Sequence, residues 1–331
     1  MAGATEQRSV FCEAPDCCLP ETGRLRLTPP HVAYLKIAEG CDRLCSFCTI
    51  PSIRGKHVSK PIEQVVDEAE ELAAEGTREL ILVAQDTSSY GRDLYGRPQL
   101  AGLLGRLEQV EGAEWIRLMY LYPRHVSDEL IEVLASGRKV LAYLDLPLQH
   151  VSDRVLRRMN RGTSSGRTRR LIDRLRGRIE GLVLRTTLIA GFPGETEEDF
   201  EELVAFVVQR RFERLGVFPY CREPGTPAAE LDGQLPEDLK RARRDRLMEV
   251  QQPIAFAWGR SQVGRRLDVL IDRDIPGEEN AYVGRSYADA PEVDGAVYVT
   301  GEGLAPGQIV SCEIVTTRGY DLIGVASGSG T

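Results

Sequence analysis

Three cysteines, Cys41, Cys45 and Cys48, fall within eight residues of one another and are the side chains best suited to carry chemistry. Their C-x3-C-x2-C spacing lets one loop turn all three sulfurs toward one centre. Thiolates there suit an iron–sulfur cluster, soft metals in general, or zinc. No fourth cysteine follows nearby. Three ligands leave one coordination position open for a small molecule, whereas His57 would close a structural zinc site, and both interpretations stay open at this point.

Polar side chains also end two apolar runs. Gln85 follows the run 79–84, within the triplet Gln-Asp-Thr, and Gln149-His150 follows a run that begins near residue 141. These positions predict contact with a ligand, with helix capping by Asp86 or Thr87 as the alternative for the triplet. His150 is either a general base or a hydrogen-bonded structural histidine.

Arg185 interrupts a third apolar run, residues 182–190. A buried arginine needs an anion, which is either a protein carboxylate or the carboxylate of a ligand. The turn that follows, residues 191–196, contains two glycines and predicts a close approach of a cofactor to the backbone.

Six apolar runs, beginning near residues 32, 79, 114, 141, 182 and 214, alternate with helix-like segments. Such intervals suit βαβ units, and nearly continuous apolar strands suit a parallel sheet covered by helices. The pattern predicts a partial (β/α)6 barrel over residues 31–264. Active sites of such folds lie at the carboxyl ends of the strands, where the cysteine loop and Gln85 both leave their strands.

The character of the sequence changes on both sides of this domain. Residues 1–30 lack periodicity and predict an irregular tail. A last long helix starts at Pro236 and is expected to be disturbed at Pro253. Short β-like runs at 267–271, 281–283, 296–300 and 308–315 then predict a small all-β barrel over residues 265–331.

Charge and composition limit the class of protein. The chain carries 42 basic and 50 acidic residues, a net charge of -8, which disfavours wholesale binding of nucleic acid. It has no membrane-length apolar run and no apolar signal-peptide core, and its cysteine pattern suits a reducing compartment, so we expect a cytoplasmic protein without membrane contact.

Two segments depart from the average charge. Residues 154–178 contain ten arginines and one acid, which are either the solvated faces of helices or an anion-binding surface. From Leu267 to the C-terminus, three basic residues stand against eleven acids, a local charge of -8. That sign disfavours RNA, because phosphate neutralisation supplies most non-specific nucleic-acid affinity, and it favours a basic protein partner.

Five stretches in order along the chain resemble the methylthiotransferase branch of the radical S-adenosylmethionine (SAM) superfamily, and within it the RimO family. They are YLKIAEGCDRLCSFCTIPSIRG (34–55), AQDTSSY (84–90), YLDLPLQHVS (143–152), TLIAGFPGET (187–196) and RSYADA (285–290). The last stretch favours RimO over the tRNA-modifying MiaB family. Residues 265–326 occupy the place of the TRAM domain in the methylthiotransferases that this chain resembles.

The resemblance implies that the three cysteines hold a 4Fe-4S cluster whose open iron binds SAM, with Phe47 near the adenine. Because polar groups on barrel strands need partners, we expect Gln85, Gln149 and Arg185 to be the further cofactor-binding residues. The resemblance also implies that an electron, from a reductase or a flavodoxin-type donor, splits SAM. The resulting radical would take hydrogen from the β-carbon of an aspartate in a basic small-subunit ribosomal protein. A carbon–sulfur bond then forms, and a second SAM supplies the methyl group.

One departure from the family concerns the N-terminal part. Members carry a further domain, with three cysteines that hold a second cluster, before the barrel. Here the first thirty residues contain Cys12, Cys17 and Cys18 at a different spacing. We therefore expect an incomplete member with one cluster. The competing hypotheses are a MiaB-like tRNA methylthiotransferase and a non-catalytic metal-binding protein.

Overall fold

The computed structural model describes Glu21, Gly23 and residues 26–327. Predictions about residues 1–20, and with them Cys12, Cys17 and Cys18, lie outside the described residues. Within the described part of the chain, no helix combines the length and the apolar character needed to cross a membrane.

The larger domain is built on a parallel sheet. Its strands are β1 (Val32–Lys36), β2 (Ala38–Glu39), β3 (Val58–Ser59), β4 (Glu79–Val83), β5 (Trp115–Leu118), β6 (Val140–Asp145), β7 (Val183–Ala190) and β8 (Arg214–Pro219). Six of them pair in the order β1-β4-β5-β6-β7-β8, all parallel, and the short β2 and β3 form a separate antiparallel pair. The predicted six-stranded partial barrel is confirmed.

Helices follow the strands and cover the outer face of the sheet. They are α1 (Ile50–Arg54), α2 (Ile62–Ala74), α3 (Arg92–Tyr95), α4 (Leu100–Leu107), α5 (Asp128–Ser136), α6 (Asp153–Arg158), α7 (Ser165–Arg178), α8 (Glu197–Arg210) and α9 (Glu237–Gln262), with short 3-10 turns at Thr87–Ser89, Pro123–His125 and Pro227–Glu230. The apolar faces of these helices and the outer side chains of the strands form one continuous core. Burial of each such Leu, Ile or Val side chain contributes about 1.5–3 kcal/mol.

Helix α9 runs through Pro253 without interruption, so the predicted disturbance does not break it. A proline inside a helix removes one hydrogen bond and crowds the carbonyl one turn earlier. Here both sides of the proline are anchored, because Leu247 and Ile254 are buried and Gln251 donates a hydrogen bond of 2.7 Å to the carbonyl of Phe212. These contacts compensate for the lost bond.

The C-terminal domain is a closed barrel of five strands, β9 (Arg266–Asp274), β10 (Ala281–Ser286), β11 (Val297–Thr300), β12 (Ile309–Arg318) and β13 (Asp321–Ala326). They close in the order β10-β11-β13-β12-β9. The small β-barrel was predicted, but β13 was missed. Its alternation is interrupted by Gly324, which packs close to the backbone of β12, where an added Cβ would lie 3.1 Å from the carbonyl oxygen of Glu313.

The segment after β10, residues 287–294, enters the inner side of the half barrel. Ala288 and Ala290 are buried there against Trp115, Tyr143 and Val183. The Tyr143 hydroxyl also donates a hydrogen bond of 2.6 Å to Asp294. The C-terminal barrel therefore supplies part of the inner core of the α/β domain.

Charged side chains cross this interface as a buried network. Glu79, at the start of β4, accepts hydrogen bonds from Arg117 (2.7 Å) and from Arg285 of the C-terminal barrel (2.6 Å). Arg285 is also held by Asp272, with bonds of 2.8 and 3.0 Å. A buried guanidinium requires such partners, since leaving one unpaired costs several kcal/mol.

Candidate active site

The cysteine loop lies at the carboxyl edge of the sheet, between β1 and α1. Gly40 opens the loop with φ of 76°, and a Cβ at this position would overlap the carbonyl oxygen of Lys56. Only glycine combines that backbone conformation with such a close approach. Cys41 is the next residue, so the turn at Gly40 determines where the cysteine loop starts.

Residues 158–161, after α6, hold the far side of the loop. Ser46 donates its backbone N–H to Met159 (3.0 Å) and its hydroxyl to the carbonyl of Arg158 (2.7 Å). Asn160 donates to the carbonyl of Leu44 at 2.7 Å. The loop is thereby fixed to a neighbouring strand–helix unit rather than left free in solvent.

Two positively polarised donors point at the sulfurs. The backbone N–H of Arg43 lies 3.4 Å from Sγ of Cys41, and Nη1 of Arg161 lies 3.4 Å from Sγ of Cys45. Burial raises the pKa of the Cys41 thiol to about 11 and also raises that of Cys48. The free thiols of Cys41 and Cys48 are therefore protonated at neutral pH, and metal binding would have to displace their protons.

A cavity of about 220 Å³ opens above the sulfurs. Its walls come from the carboxyl ends of β1, β4, β5 and β6: Cys41, Arg43, Cys45, Phe47, Cys48, Ile50, Gln85, Asp86, Tyr120, Leu121, Tyr122, Pro147, Gln149 and Arg161. Six of the seven predicted site residues, all except Arg185, meet on this one cavity.

Gln149 is aimed into the cavity by a strained backbone. Its φ is +70°, which is unusual for a residue other than glycine. Hydrogen bonds of 2.8 Å to β7, from its N–H to Thr187 and from Ile189 to its carbonyl, hold that conformation. Its side-chain Oε1 is buried without a hydrogen-bond partner. Strain and an unsatisfied acceptor at one residue indicate a site for a hydrogen-bond donor that is not part of the chain.

Gln85, which follows β4, also has a buried amide oxygen without a partner. Its Nε2 donates to Glu39 at 3.1 Å, while its Oε1 is buried and unpartnered. The adjacent Asp86 has a different role, because it accepts 2.9 Å from Nε of Arg43 and also binds the hydroxyls of Ser88 and Ser89. Burial alone would raise the pKa of Asp86, but these serine bonds and Arg43 lower it below the usual value. Asp86 therefore positions the cysteine loop as a carboxylate.

Phe47 separates this cavity from a second one, of about 410 Å³, at the open edge of the sheet. The ring packs edge-on against Phe192, with centroids 6.4 Å apart. The second cavity is also lined by Ile189, Phe218 and Tyr220, beside Gln149 and Cys48. Apolar and aromatic walls next to polar groups suit a flat heterocycle with a polar tail.

Arg185 is placed elsewhere. Its Nη1 donates to Asp145 at 2.7 Å, and its Nε lies 3.6 Å from Asp294 of the C-terminal barrel. It lines a cavity near helix α9 and the β12–β13 turn, not either cavity at the cysteine loop. Its anion partner in this structure is thus a protein carboxylate, the first of the two predicted possibilities.

Two other sequence predictions are settled by packing. His150 is fully buried, accepts a bond of 3.0 Å from the N–H of Ser152 and lies 3.3 Å from Glu195, which is the structural alternative. The glycines at 191 and 194 do face a close neighbour, but that neighbour is protein. A Cβ at Gly191 would meet Lys240 at 2.5 Å, and one at Gly194 would meet Arg158 at 3.0 Å.

The arrangement of the cysteine side chains differs from that of a site for a single metal ion. Within residues 26–327, Glu21 and Gly23, no group of three or more His, Cys, Asp or Glu side chains is arranged to hold one metal ion. His57, which directly precedes β3, lies 3.2 Å from the hydroxyl of Ser59 and is not among the cavity residues. A zinc knuckle needs ligands that converge on one ion, whereas the thiolates around a polynuclear cluster bind different irons and can stand farther apart.

Comparison with known sequences adds the family. Residues 35–207 match the Radical SAM superfamily, and residues 263–326 match the TRAM domain. The chain is 49% identical over 302 residues to the ribosomal protein uS12 methylthiotransferase RimO of Caldanaerobacter subterraneus subsp. tengcongensis, covering 91% of this chain and 68% of the relative. It belongs to the RimO family of radical SAM proteins.

Other members of the RimO family give the same picture. The RimO protein of Anaeromyxobacter sp. (strain Fw109-5) is 52% identical over 303 residues, which are 92% of this chain and 64% of that protein. The RimO protein of Desulfitobacterium hafniense (strain Y51) is 46% identical over 325 residues, 98% of this chain and 73% of that protein. The chain thus spans somewhat less than two thirds of the length of the first relative.

Solved structures support the fold of this RimO-family chain. Coproporphyrinogen III oxidase (HemN) from Escherichia coli superposes with a TM-score of 0.50 at 19% identity, over 76% of this chain and 58% of that one. The radical SAM methyltransferase TsrM from Kitasatospora setae also reaches 0.50, at 20% identity, over 60% of this chain and 38% of that one. At these identities the likeness concerns the fold alone.

Sequence reasoning missed several residues of the RimO-family site. Arg161 contacts a cysteine sulfur but was counted only as one of many arginines, and Tyr122 lies between the guanidinium groups of Arg43 and Arg161, 4.5 and 4.4 Å from its ring centre. Arg43 could have been found from its place between two cysteines. The contact of Arg161 crosses 116 residues of sequence, so no local pattern reveals it.

Proposed function

We propose that this chain forms the SAM-cleaving and substrate-binding part of an enzyme that adds a methylthio group to the β-carbon of an aspartate in ribosomal protein uS12. The observation that carries the proposal is the single cavity on which three cysteines meet the unpartnered carbonyls of Gln85 and Gln149, in a member of the RimO family. A ribosomal-protein substrate would place the enzyme in the cytoplasm.

The residues present fit a 4Fe-4S cluster and SAM. Cys41, Cys45 and Cys48 would supply three thiolates and leave one iron open to the SAM amino and carboxylate groups. The amide carbonyl of Gln149 would accept a hydrogen bond from the SAM amino or ribose groups, and Phe47 would form one wall for the adenine. When bound, the cluster supplies the electron that splits SAM into methionine and a 5′-deoxyadenosyl radical.

The protein's own task is to favour thiolates and to exclude water. The backbone N–H and the charge of Arg43 lower the pKa of Cys41 and so partly oppose the burial that raises it, while the guanidinium of Arg161 donates to Cys45. Leu121 and Tyr122, both buried, close the inner side of the cavity. A primary carbon radical reacts with whatever lies next to it. By excluding water, the wall of Leu121 and Tyr122 leaves the positioned substrate as the group that the radical meets.

Replacing Gln149 by alanine is expected to weaken SAM binding by about 1–3 kcal/mol, which is roughly 5- to 150-fold, because a buried hydrogen bond to the cofactor is lost. The cluster should remain, since within the described residues no hydrogen bond joins the Gln149 side chain to a cysteine sulfur. Equilibrium binding of SAM to the reconstituted protein measures the effect, with Gln209→Ala on the outer helix α8 as the matched control. Equal affinity in the two variants would remove Gln149 from the SAM site.

The C-terminal barrel offers an acidic surface to a basic partner. Of the eleven acids counted from Leu267 onward, four are engaged within the protein: Asp272 with Arg285, Asp289 with Arg214, Asp294 with Tyr143, and Asp321 with a backbone N–H. The remaining seven are exposed: Asp268, Asp274, Glu278, Glu279, Glu292, Glu302 and Glu313.

One of the exposed acids lies near the inner side of the half barrel. Burial raises the pKa of the Tyr34 hydroxyl, and the carboxylate of Glu292 raises it further. Tyr120, on the wall of the cysteine cavity, has a smaller effect in the same direction. Glu292 thus brings one negative charge close to Tyr34 on β1. This arrangement supports a basic ribosomal protein as substrate and disfavours RNA at the same surface.

Charge reversal tests this surface. The triple variant Asp274→Lys/Glu278→Lys/Glu279→Lys is expected to slow association with uS12 by about tenfold at low salt and to make it less salt-sensitive. The control reverses three exposed acids of the α/β domain, Asp67, Glu70 and Glu111. Unchanged uS12 association in the first variant, measured by stopped-flow fluorescence, would contradict the acidic-surface proposal.

The reaction itself is tested with deuterium. The reconstituted protein is incubated with SAM, dithionite and uS12 whose aspartates carry deuterium at the β-carbon, and 5′-deoxyadenosine is examined by mass spectrometry. The proposal predicts deuterium in that product. Deuterium transfer from labelled tRNA instead of uS12 would establish the tRNA-modifying alternative.

A further inference from the structure

A groove rich in arginine lies beside the cysteine loop, on the rim formed by residues 123–126 and the first turns of α7. Its volume is about 700 Å³, and its lining includes Arg124, Arg167, Arg170 and Arg174. All four side chains are exposed. The protein as a whole carries a net charge of -8, so this groove is a local reversal of sign.

The positive charge of the groove is free at one end only. Arg174 is paired with Asp128 at 3.4 Å, and Arg178, one turn farther along the same face of α7, is paired with Asp128 and Glu132. By contrast, within the part of the chain that the structure describes, no carboxylate forms an ion pair with Arg124, Arg167 or Arg170. The acid of the groove, Asp173, is occupied by Arg210.

The free end is the end nearest the cysteines. Arg161, whose Nη1 lies 3.4 Å from Sγ of Cys45, is followed by Gly162 and by Thr163 in the wall of the groove. Two Cα steps span at most about 7.6 Å. The guanidinium of Arg124 packs over Gly162, where an added Cβ would lie 3.3 Å from Nη1. Arg161 therefore contacts the sulfur of Cys45 and stands two residues before Thr163 in the groove wall, so it connects the two.

We propose that this arginine groove is the docking surface for an acidic one-electron carrier protein of the flavodoxin type. The inference rests on the proposed function, because only a chain that holds a cluster requires an electron from outside. In the docked pair the reduced carrier loses one electron and the cluster gains it, and no covalent bond forms or breaks. Complementary charge would speed encounter and orient the carrier toward Cys45.

The location of the arginine groove favours an acidic electron carrier over a nucleic acid as its partner. A nucleic acid also matches the sign of the groove, but the proposed reaction has no use for a phosphate next to Cys45. The basic substrate is repelled by Arg124, Arg167 and Arg170 and has an acidic surface elsewhere on the protein. An electron carrier is the partner that needs both a complementary charge and a seat close in the chain to Arg161, which contacts Cys45.

The test uses the reconstituted protein and the double variant Arg167→Glu/Arg170→Glu. Calorimetric titration with an acidic, FMN-containing flavodoxin is expected to show binding weakened at least about tenfold at low salt, with the difference shrinking at high salt. Reduction of the cluster by reduced flavodoxin, followed by its visible absorbance, should slow in parallel. Reduction by dithionite, which needs no docking surface, should proceed as in the unmodified protein.

The control is Arg106→Glu/Arg241→Glu, which makes the same charge change at exposed arginines on α4 and α9. Flavodoxin binding that is equal in the two double variants would overturn the docking proposal. So would tight binding of a single-stranded RNA that the first variant loses while its flavodoxin binding persists. If dithionite does not drive SAM cleavage in the unmodified protein, the proposed function fails, and the docking proposal fails with it.

Discussion

Replacement of Glu79 by alanine is expected to lower the free energy of unfolding by about 3–5 kcal/mol, because it leaves two buried guanidinium groups without their shared carboxylate. Glu79 and Arg117 are fully buried, and Arg285 is nearly so. Arg117 would keep only carbonyl partners in the C-terminal barrel, with a bond of 2.7 Å to Tyr287, and Arg285 would keep Asp272. Neither group can turn toward water without separating the two domains.

Chemical denaturation of Glu79→Ala and of Glu114→Ala provides the comparison. Glu114 also pairs with an arginine, Arg78 at 2.7 Å, but both side chains are about half exposed, so its loss should cost only about 0–1 kcal/mol. A triple replacement, Glu79→Leu/Arg117→Met/Arg285→Met, should recover much of the loss, since it removes the buried carboxylate together with both guanidinium groups and leaves Asp272 with His31 as a partner at 3.1 Å. Equal destabilisation by Glu79→Ala and Glu114→Ala would show that the network does not hold the domains together.

Cys45→Ala is expected to abolish both cluster retention and SAM cleavage. Cys45 is the middle ligand of the proposed set and the one whose sulfur accepts from Arg161. Loss of a supporting hydrogen bond alone typically costs 10- to 100-fold in metal affinity, so loss of a thiolate ligand should exceed about 100-fold. Visible absorbance, iron content and 5′-deoxyadenosine formation measure the result after anaerobic reconstitution.

Cys312→Ala is the matched control for that variant. Cys312 is a fully buried thiol in the core of the C-terminal barrel, and burial raises its pKa to about 11, as for Cys41, yet it lines no part of the site. It should reconstitute with the same iron content as the unmodified protein. Full iron content in Cys45→Ala would refute the ligand assignment.

Most of the fold was accessible from the sequence because its signals are local. The strands of the parallel sheet are short, mostly apolar runs, and longer covering helices such as α2 show apolar residues at intervals of three and four. The strand β13 was not accessible, because Gly324 weakens its pattern and its neighbours are chosen by barrel closure. The continuity of α9 through Pro253 likewise depends on anchoring by Phe212, about forty residues earlier in the chain.

Site residues that directly follow a strand could be predicted from the sequence. Residues whose role depends on an ion pair with a distant part of the chain could not. Gln85 and Gln149 come directly after strands, so the topology of a parallel sheet brings them to the cysteine edge. Arg185 lies inside β7, and no sequence pattern states that its partners would be Asp145 and Asp294. Its role in cofactor binding stays a prediction, while its observed ion pairs connect the two domains.

The placement of residues 287–294 inside the half barrel also affects the order of biosynthesis. While a ribosome is still making the last part of the chain, Glu79 and Arg117 have already emerged, but Arg285 and the alanines that cover Trp115 and Tyr143 have not. The nascent α/β domain therefore exposes apolar surface and the uncovered Glu79–Arg117 ion pair at its inner face. The chain can reach its packed state only after its C-terminal barrel has been released.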